Sequence, residues 1–286
     1  MNVFFVSNST CYYFTDELYG MLSASGREDA TLALVYYGGC SVQQHYEWMR
    51  DSESNYEFRV IDKAGLHVTR DMGLAAAMSI KNWDVISFDN KARTFASGDA
   101  KIALELTEPY FGMLFSDLRE RFPGARYMWH EVWANEVGYK IAFEVKTKEQ
   151  RNEVYRAKRG LMEHMMKAYG IEGVPTGDAW EKVRDLEIFK TPLPEIPEAE
   201  RFTLCSRLEN GAFKDDFSHD GDIGGGQYLN ACVWFEILTG ESCVGNCFRP
   251  KYTYNGKDVS LSEEKIRILQ NVAHEAVAEH RALRCK

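Results

Sequence analysis

The stretch that decides the fold is residues 3–10, which read VFFVSNST. Its first four residues are apolar and rich in β-branched and aromatic side chains, which favours a buried strand. The small polar residues after them predict a turn at the end of that strand. Asn8-Ser9-Thr10 also has the form of a glycosylation acceptor, which requires an exposed surface loop. The two interpretations place Asn8 differently, and the rest of the sequence must decide between them.

Similar short apolar runs recur along the chain and alternate with longer segments of helical period. This alternation is typical of a βαβ succession, and the predicted fold class is therefore α/β with a central, mainly parallel sheet of about five strands. A hairpin around Lys63-Ala64-Gly65 is expected to lie outside the alternation. The predicted strands are Val3 to Val6, Leu32 to Tyr36, Asp84 to Phe88, Tyr127 to Val132 and a shorter one near Gly170 to Pro175.

Helices are predicted between and after these strands, and one of them covers GQYLNACVWFEILTG. The Pro-rich stretch from Lys190 to Arg201 is the one candidate boundary between domains. The chain after this stretch is too short for an independent core, so residues 1–286 are expected to form a single domain. The other predicted helices are Asp16 to Ala24, Ser41 to Arg50, Gly73 to Ile80, Ala100 to Arg121, Lys148 to Tyr169 and Leu261 to Arg281.

The charge balance of the chain argues against nucleic acid as a partner. The 34 Lys and Arg residues are outnumbered by 43 Asp and Glu residues, for a formal net charge of −9. Neutralising phosphates needs a surplus of basic side chains, and no dense basic cluster offsets the acidic total. Seven cysteines are scattered through the sequence. An odd number in a chain of this length suits reduced thiols better than a disulfide framework.

No membrane partner is expected, since no apolar stretch approaches the roughly 18 residues that a spanning helix needs. The first residues also lack the charged start and the cleavage site of a signal peptide. A cytoplasmic protein is expected from the chain as it stands, and an exported one if a signal had been removed.

The candidate functional residues follow the predicted strands, because ligands of an open parallel sheet bind outside the carboxyl ends of its strands. Ser7-Asn8-Ser9 follows the first strand, Gly38-Gly39 the second and Asp89-Asn90 the third. Much further along, KDDFSHDGD at residues 214–222 places Asp216 three residues before His219.

These residue types fit nucleophilic catalysis by a serine. Such a serine needs a base within hydrogen-bond reach, an acid that orients the base, and donors for the oxyanion. Ser9, His219 and Asp216 could supply the first three. The donors could be the backbone N–H groups of Ser9 and Gly39 and the side chain of Asn90. A glycine suits the second position because it lets the backbone approach a substrate closely.

Seven blocks together resemble a known family: VSNSTCYY, YYGGCSVQQHYEW, NWDVISF, WHEVWA, VPTGDAW, DDFSHDGD and YLNACVWFEILTGESCVGN. In order and spacing they are similar to the SGNH/GDSL hydrolase superfamily, and more narrowly to the bacterial DUF4886 branch, whose first block reads GNS. The resemblance extends from Val3 to about Ala276.

The resemblance implies a three-layer α/β/α, flavodoxin-like fold and a serine hydrolase that acts on esters, often acyl groups on carbohydrates or lipids. Ser9 falls at the nucleophile, Gly39 at the oxyanion glycine of the second block, and Asp216 and His219 at the DxxH dyad of the last block. The polar residues after the first strand would then present Ser9, and the glycosylation pattern would be accidental. No metal or organic cofactor is needed for this chemistry.

The sequence departs from the superfamily pattern at two places. Ser7 stands where the first block usually has glycine, and FDNKAR stands where the third block usually reads GxND. Either Asp89 or Asn90 can therefore occupy the third-block position. A carboxylate facing the oxyanion would repel it, which makes the choice between them important for catalysis.

Other chemistry-bearing residues have competing interpretations. His45, His130 and Glu131 could line the cleft or could be structural. His130-Glu131 starts like the zinc motif HExxH but lacks its second histidine. The loop from Asp216 matches several positions of a calcium loop, but Gln227 stands where the bidentate glutamate is needed.

The expected function is an esterase that cleaves acyl groups from carbohydrates or other small esters through Ser9, His219 and Asp216. The alternative is a catalytically impaired carbohydrate-binding protein that keeps the cleft. Acyl transfer to a second alcohol would use the same residues as hydrolysis, and the sequence does not distinguish the two.

Overall fold

A computed structural model describes residues 1–90, 100–135, 145–184, 186–189, 225–254 and 257–284. Its strands are β1 (Asn2–Val6), β2 (Thr31–Tyr36), β3 (Tyr56–Asp62), β4 (Gly65–Met72), β5 (Val85–Phe88), β6 (Arg126–His130), β7 (Glu172–Val174), β8 (Tyr252–Tyr254) and β9 (Lys257–Val259). Its helices are α1 (Ser9–Tyr12), α2 (Thr15–Ala24), α3 (Val42–Arg50), α4 (Leu74–Met78), α5 (Ala100–Arg121), α6 (Lys148–Tyr169), α7 (Thr176–Arg184), α8 (Gly226–Thr239) and α9 (Glu263–Arg284), with a 3₁₀ turn at Glu187–Phe189.

The central sheet has the strand order β4-β3-β2-β1-β5-β6-β7. Five neighbouring strands of the sheet are parallel, in the order β2-β1-β5-β6-β7. Numbered along the chain, these five follow the 2-1-3-4-5 order of flavodoxin-like folds. The five predicted parallel strands are confirmed. The sheet nevertheless has seven strands, because the hairpin of β3 and β4 joins it by antiparallel pairing along β2. The hairpin thereby covers the backbone groups that β2 would otherwise leave unpaired.

Helices cover both faces of the sheet, which makes the predicted three layers. Successive side chains of a strand point to opposite faces. Accordingly, Val3 and Phe5 of β1 pack in one core cluster with residues of α2, α7, α8 and α9. Phe4 and Val6 pack in a second cluster with residues of α3, α4, α5 and α6. The chain between residues 3 and 6 is therefore apolar throughout because both of its faces are buried.

The long helices agree closely with their predicted ranges. Helices α5 and α6 have the predicted bounds, and α3 begins after Ser41, whose side chain closes a capping box with Gln44. The sequence did not predict α1, α7 or the small hairpin of β8 and β9. Helix α1 and the two strands are too short for a clear periodic pattern. The stretch from Lys190 to Arg201 lies outside the described residues.

The described cysteines are consistent with reduced thiols. Cys11, Cys40, Cys232 and Cys243 are free and buried, and Cys247 is free and exposed. No helix in the described part of the chain is long and apolar enough to cross a membrane.

Candidate active site

The turn after β1 brings Ser9 to the carboxyl edge of the sheet. Ser7 and Asn8 are buried, whereas Ser9 is half-buried and begins α1. The Asn8 side chain caps this short helix, since its Oδ1 accepts the backbone N–H of Thr10 at 3.1 Å. Capping is a preferred role of asparagine at such a position. The chain therefore passes from strand to helix over two residues and presents Ser9 at the junction.

A buried carboxylate, that of Asp89 directly after the neighbouring strand β5, holds this turn. Two hydroxyls, those of Ser7 and Thr10, donate to its Oδ2. The Asn8 amide donates to its Oδ1 at 3.0 Å, and the Cys11 thiol lies 3.6 Å from Oδ2. Four donors from one five-residue segment thus converge on a single side chain. The turn is fixed by side chains as well as by its own backbone.

Burial raises the pKa of Asp89 to about 6, and the hydrogen bonds from Ser7 and Thr10 act in the opposite direction. Burial also raises the pKa of the Cys11 thiol, to which the negative charge of Asp89 adds. Hydrogen bonds to a carboxylate favour its ionised form, whereas desolvation favours the neutral form. Cys11 is therefore a protonated donor beneath the turn and is not an activated thiolate.

The loop after β2 reaches the same turn. The backbone N–H of Cys40 donates to Tyr37 O at 3.1 Å, and Gly39 between them has a φ of 65°. That left-handed conformation favours glycine because it has no Cβ. The Asn8 amide also donates to Cys40 O, at 3.3 Å. Asn8 thus connects the loops that follow β1, β2 and β5.

The junction of these three loops is a favoured position for a ligand in this fold. Strand β2 lies on one side of β1 and β5 on the other, so the order of the strands reverses at β1. Ligands of open α/β sheets bind outside the carboxyl ends of the strands at such a reversal. Ser9 and Gly39 both lie there.

Asn90 has a different partner. It is buried, and its amide donates to the Thr107 hydroxyl of α5 at 2.8 Å, while that hydroxyl donates to Ala103 O at 2.7 Å. The carboxylate of Asp89, in contrast, faces the donors of the turn around Ser9. The two neighbouring residues at the end of β5 thus point their polar groups at different elements.

The predicted dyad of Asp216 and His219 lies outside the described residues, as does the start of the possible calcium loop. The roles of both residues stay predictions. Of the predicted catalytic and oxyanion residues, Ser9, Gly39 and Asn90 are described, and all three follow strand ends.

His130, at the end of β6, is fully buried. Its Nδ1 accepts the indole N–H of Trp234 at 2.8 Å. Its ring packs with those of Phe14 and Trp234 at centroid distances of 5.7 and 5.8 Å. Burial lowers its pKa to about 3, and the positive charge of Lys158 contributes. The imidazole is a neutral group of the interior.

His45 on α3 is also buried. Its Nδ1 lies 2.8 Å from the Tyr56 hydroxyl, and the two rings stack at 5.5 Å. Burial lowers its pKa to about 3. Its geometry matches the structural alternative that the sequence left open for both histidines.

Glu131 follows His130 and is buried against the start of α7. Its Oε2 accepts the backbone N–H of Asp178 at 3.2 Å, and a Cβ at Gly177 would lie 2.8 Å from its Cδ. Burial raises its pKa to about 8, although the charge of Arg159 opposes the shift. Glycine at position 177 thus lets α7 pack directly on this carboxyl.

Sequence reasoning missed the cluster beneath Ser9. Thr10 and Cys11 give no sequence signal, because a hydroxyl and a thiol in a short apolar segment have no distinctive spacing. One signal was present: Asp89 follows a buried strand whose neighbour ends in three small polar residues. An acid in that position needs donors, and the neighbouring strand end supplies them.

The fold and this junction of loops define a flavodoxin-like α/β protein with a candidate ligand site at the carboxyl edge of its sheet. The family model described as "Domain of unknown function (DUF4886)" matches residues 7–190, more than half of the chain. The chain belongs to this family, and the predicted resemblance to the DUF4886 branch is confirmed. A comparison with curated proteins finds no match.

Solved structures resemble the chain as well. A DUF4886 family protein from Bacteroides uniformis ATCC 8492 has a TM-score of 0.75 at 22% identity, covering 97% of this chain and 95% of that one, and shows the same fold. A putative SGNH hydrolase from Slackia heliotrinireducens has a TM-score of 0.47 at 13% identity, covering 83% and 98% of the two chains. An acetyl xylan esterase from Geobacillus stearothermophilus has a TM-score of 0.47 at 11% identity, covering 84% and 95%.

Proposed function

We propose that the protein is a serine esterase in which Ser9 is the nucleophile. The observation that carries the proposal is the placement of Ser9: its half-buried side chain lies at the strand-order reversal, on a turn fixed from below by Asp89. The Ser9 side chain makes no hydrogen bond within the described part of the chain. It is therefore available to a base from the segment that contains His219.

In the proposed reaction, His219 removes the hydroxyl proton of Ser9 as its Oγ attacks the ester carbonyl. Asp216 orients the imidazole and stabilises the imidazolium. The tetrahedral intermediate expels the alcohol, which takes its proton from His219, and leaves an acyl group on Ser9. Water, activated by His219, then attacks the acyl carbon and releases the acid and free Ser9.

Two backbone donors support stabilisation of the oxyanion. The N–H of Ser9 lies in the first turn of α1, where helix geometry provides no intrahelical acceptor, and Asn8 caps Thr10 instead. The N–H of Gly39 is the second proposed donor. Each such donor is typically worth roughly 3 kcal/mol of transition-state stabilisation. The Asn90 amide donates one N–H to Thr107, so a third donor from Asn90 would have to be its second N–H.

The proposed substrate is an acyl ester of a carbohydrate or of another small alcohol. Acyl transfer to a second alcohol would begin with the same acyl-enzyme and differ only in what attacks it. One observation favours the alternative of a non-catalytic carbohydrate-binding protein: the loop after β5 contains a buried carboxylate and no glycine at its start. Against this alternative, the Asp89 carboxylate accepts hydrogen bonds from Ser7 and Thr10, so its charge faces the turn and not the proposed oxyanion position.

Labelling with a fluorophosphonate probe tests the proposal, because the probe modifies only an activated serine. Mass spectrometry of the parent protein should locate the adduct on Ser9. The adduct should disappear in His219→Ala and persist in Ser79→Ala, which removes an exposed serine hydroxyl far from the predicted dyad in sequence. An unlabelled parent, or labelling that is indifferent to His219, would reject the esterase and favour the binding protein.

The pH dependence of hydrolysis of a small activated ester gives a second readout. A histidine base should produce a limb near its ordinary pKa of about 6.5. Two buried histidines, His45 and His130, have pKa values that burial lowers to about 3, so they cannot produce that limb.

A further inference from the structure

An open pocket of about 220 Å³ lies beside the candidate active site, at the carboxyl end of β2. We call it the hairpin pocket, because two of its walls belong to the β3–β4 hairpin. The proposed hydrolysis assigns it no role. Its walls are Tyr36 and Tyr37 from the end of β2, Asn55 and Glu57 from the start of β3, and Arg70 and Asp71 from the end of β4.

The backbone is irregular where β4 lines this pocket. Tyr56 pairs with Met72 whereas Phe58 pairs with Thr69, so β4 carries one extra residue between these pairs. Asp71, within this bulge, has a φ of 54°, which is uncommon for a residue with a Cβ. Bulges next to functional sites re-aim side chains. Both residues of this one, Arg70 and Asp71, line the pocket.

The charged groups of the pocket keep hydrogen-bonding capacity. Within the described part of the chain, Arg70 and Asp71 make no side-chain hydrogen bond or ion pair. Glu57 accepts the Tyr12 hydroxyl at 3.1 Å and faces Arg59 at 3.9 Å, and both contacts use Oε1. The pocket therefore offers a guanidinium, a carboxylate and one further carboxylate oxygen to a ligand.

These groups define the chemistry of the ligand. Guanidinium donors and carboxylate acceptors together match hydroxyl groups, which both donate and accept. The ring of Tyr37, 44% exposed, can pack against the apolar face of a flat ring. With Arg59 beside Glu57, carboxylates and guanidinium groups are equal in number around the pocket, so it has no positive surplus that would favour an anionic ligand. Since enclosing pockets for drug-sized ligands measure roughly 300–1,000 Å³, this smaller one suits a single ring unit.

We propose that the hairpin pocket binds one sugar ring of a neutral carbohydrate and so forms the subsite for the alcohol part of the substrate. This assignment of a subsite rests on the proposed esterase function, although the binding itself does not require catalysis.

The hairpin pocket adjoins the helix that Ser9 begins and the loop that contains Gly39. Tyr12 belongs to α1, the helix that Ser9 begins, and its ring lies 4.4 Å from that of Tyr36 in the pocket wall. Gly38, next to the proposed oxyanion residue Gly39, also lines the pocket. A sugar held there lies beside the turn on which its acyl group would react.

Binding is tested apart from catalysis in the Ser9→Ala background, by calorimetric titration with xylotriose and with cellotriose. Saturable binding of at least one trisaccharide is expected. Arg70→Ala and Tyr37→Ala should each weaken it roughly tenfold, as loss of a charge-assisted hydrogen bond or of a stacking ring implies. Lys63→Ala, which removes an exposed charge at the tip of the same hairpin, is the matched control and should bind as the background does.

No saturable binding of either sugar, or equal affinity in the three variants, would overturn the proposal. Because Arg70 and Tyr37 are exposed, circular dichroism should show that both variants fold as the background does.

Activity separates this proposal from that of the esterase. With Ser9 intact, Arg70→Ala should lower kcat/KM for an acetylated xylotriose relative to that for p-nitrophenyl acetate about tenfold, chiefly through KM. An unchanged ratio would reject the subsite even if Ser9 is labelled by fluorophosphonate. Sugar binding that depends on Arg70 in a protein whose Ser9 is not labelled would support the pocket and reject the esterase.

Discussion

The Asn8 amide donates to Asp89 Oδ1 at 3.0 Å, although the two residues are 81 positions apart in the sequence. The same amide reaches Cys40 O, and the Asn8 Oδ1 accepts the N–H of Thr10. One buried side chain thus couples three strand ends and the start of α1. Since Ser9 directly follows Asn8, the position of the candidate nucleophile depends on this network rather than on the local turn alone.

Removal of the carboxylate should therefore disturb the turn. Asp89→Ala leaves the donors of Ser7, Asn8 and Thr10 without their acceptor, at a cost of about 1–3 kcal/mol for each buried group left unsatisfied. Urea denaturation should show reduced stability, and fluorophosphonate labelling of Ser9 should slow. Asp29→Ala, which removes an exposed carboxylate, is the control. Equal stability of the two variants would contradict the anchoring role.

Asp89→Asn separates shape from charge at the same site. An amide retains one acceptor oxygen but turns a donor either towards the Asn8 amide or towards the hydroxyls of Ser7 and Thr10. If positioning depends on the carboxylate, labelling of Ser9 should be slower than in the parent under conditions where both proteins are folded. Labelling at the parental rate would show that a neutral acceptor is sufficient.

Gly39→Ala tests the loop after β2. The φ of 65° at Gly39 disfavours any Cβ by about 1–2 kcal/mol. The substitution should destabilise the loop and slow the labelling of Ser9. Gly38→Ala is the matched comparison, because a Cβ there meets only the Tyr36 hydroxyl at 3.7 Å, an ordinary contact. A larger effect at position 38 than at position 39 would contradict the proposed geometry.

The sequence predicted the parts of the fold that depend on local pattern. The five parallel strands are continuous apolar runs, and α5 and α6 have a helical period over 22 residues each. The hairpin of β3 and β4 was predicted, but its place in the sheet was not, because pairing with β2 depends on which edge is open once the parallel strands are ordered.

At the candidate site, the sequence predicted which strand ends meet but not which atoms contact each other. The choice between Asp89 and Asn90 illustrates this limit. Adjacent residues at a strand end point to different sides, so a shift of one position exchanges their surroundings. Only the packing of α5 places Thr107 within reach of Asn90, and that contact spans 17 residues.

Asn8 should not be glycosylated, although the sequence around it has the acceptor pattern. Its side chain is 2% exposed, and its amide nitrogen already donates to Asp89 and to Cys40. An acceptor asparagine must be accessible on a surface loop. Expression in a host that glycosylates secreted proteins, followed by mass spectrometry, should yield a peptide containing Asn8 without a glycan. A glycan at Asn8 would mean that the turn opens or forms late.

Glu131 should make stability fall as the pH rises. Burial raises its pKa from 4.5 to about 8, so the folded protein holds a proton that the unfolded chain releases. The stabilisation from the protonated Glu131 carboxyl is fully present below about pH 4.5 and is lost as the pH rises to about 8. Over this range the free energy of unfolding falls by up to about 1.4 kcal/mol per pH unit. Glu131→Gln, which imitates the protonated carboxyl, should remove this pH dependence.

Urea denaturation of the parent and of Glu131→Gln between pH 5 and 8 measures this difference. The free energy of unfolding of the variant should increase relative to that of the parent as the pH rises across that interval, because its amide needs no proton to remain uncharged. Glu120→Gln provides the comparison, since it removes an exposed carboxyl from α5. A constant difference between Glu131→Gln and the parent would show that the carboxyl of Glu131 is already ionised at pH 5, with Arg159 compensating for its burial.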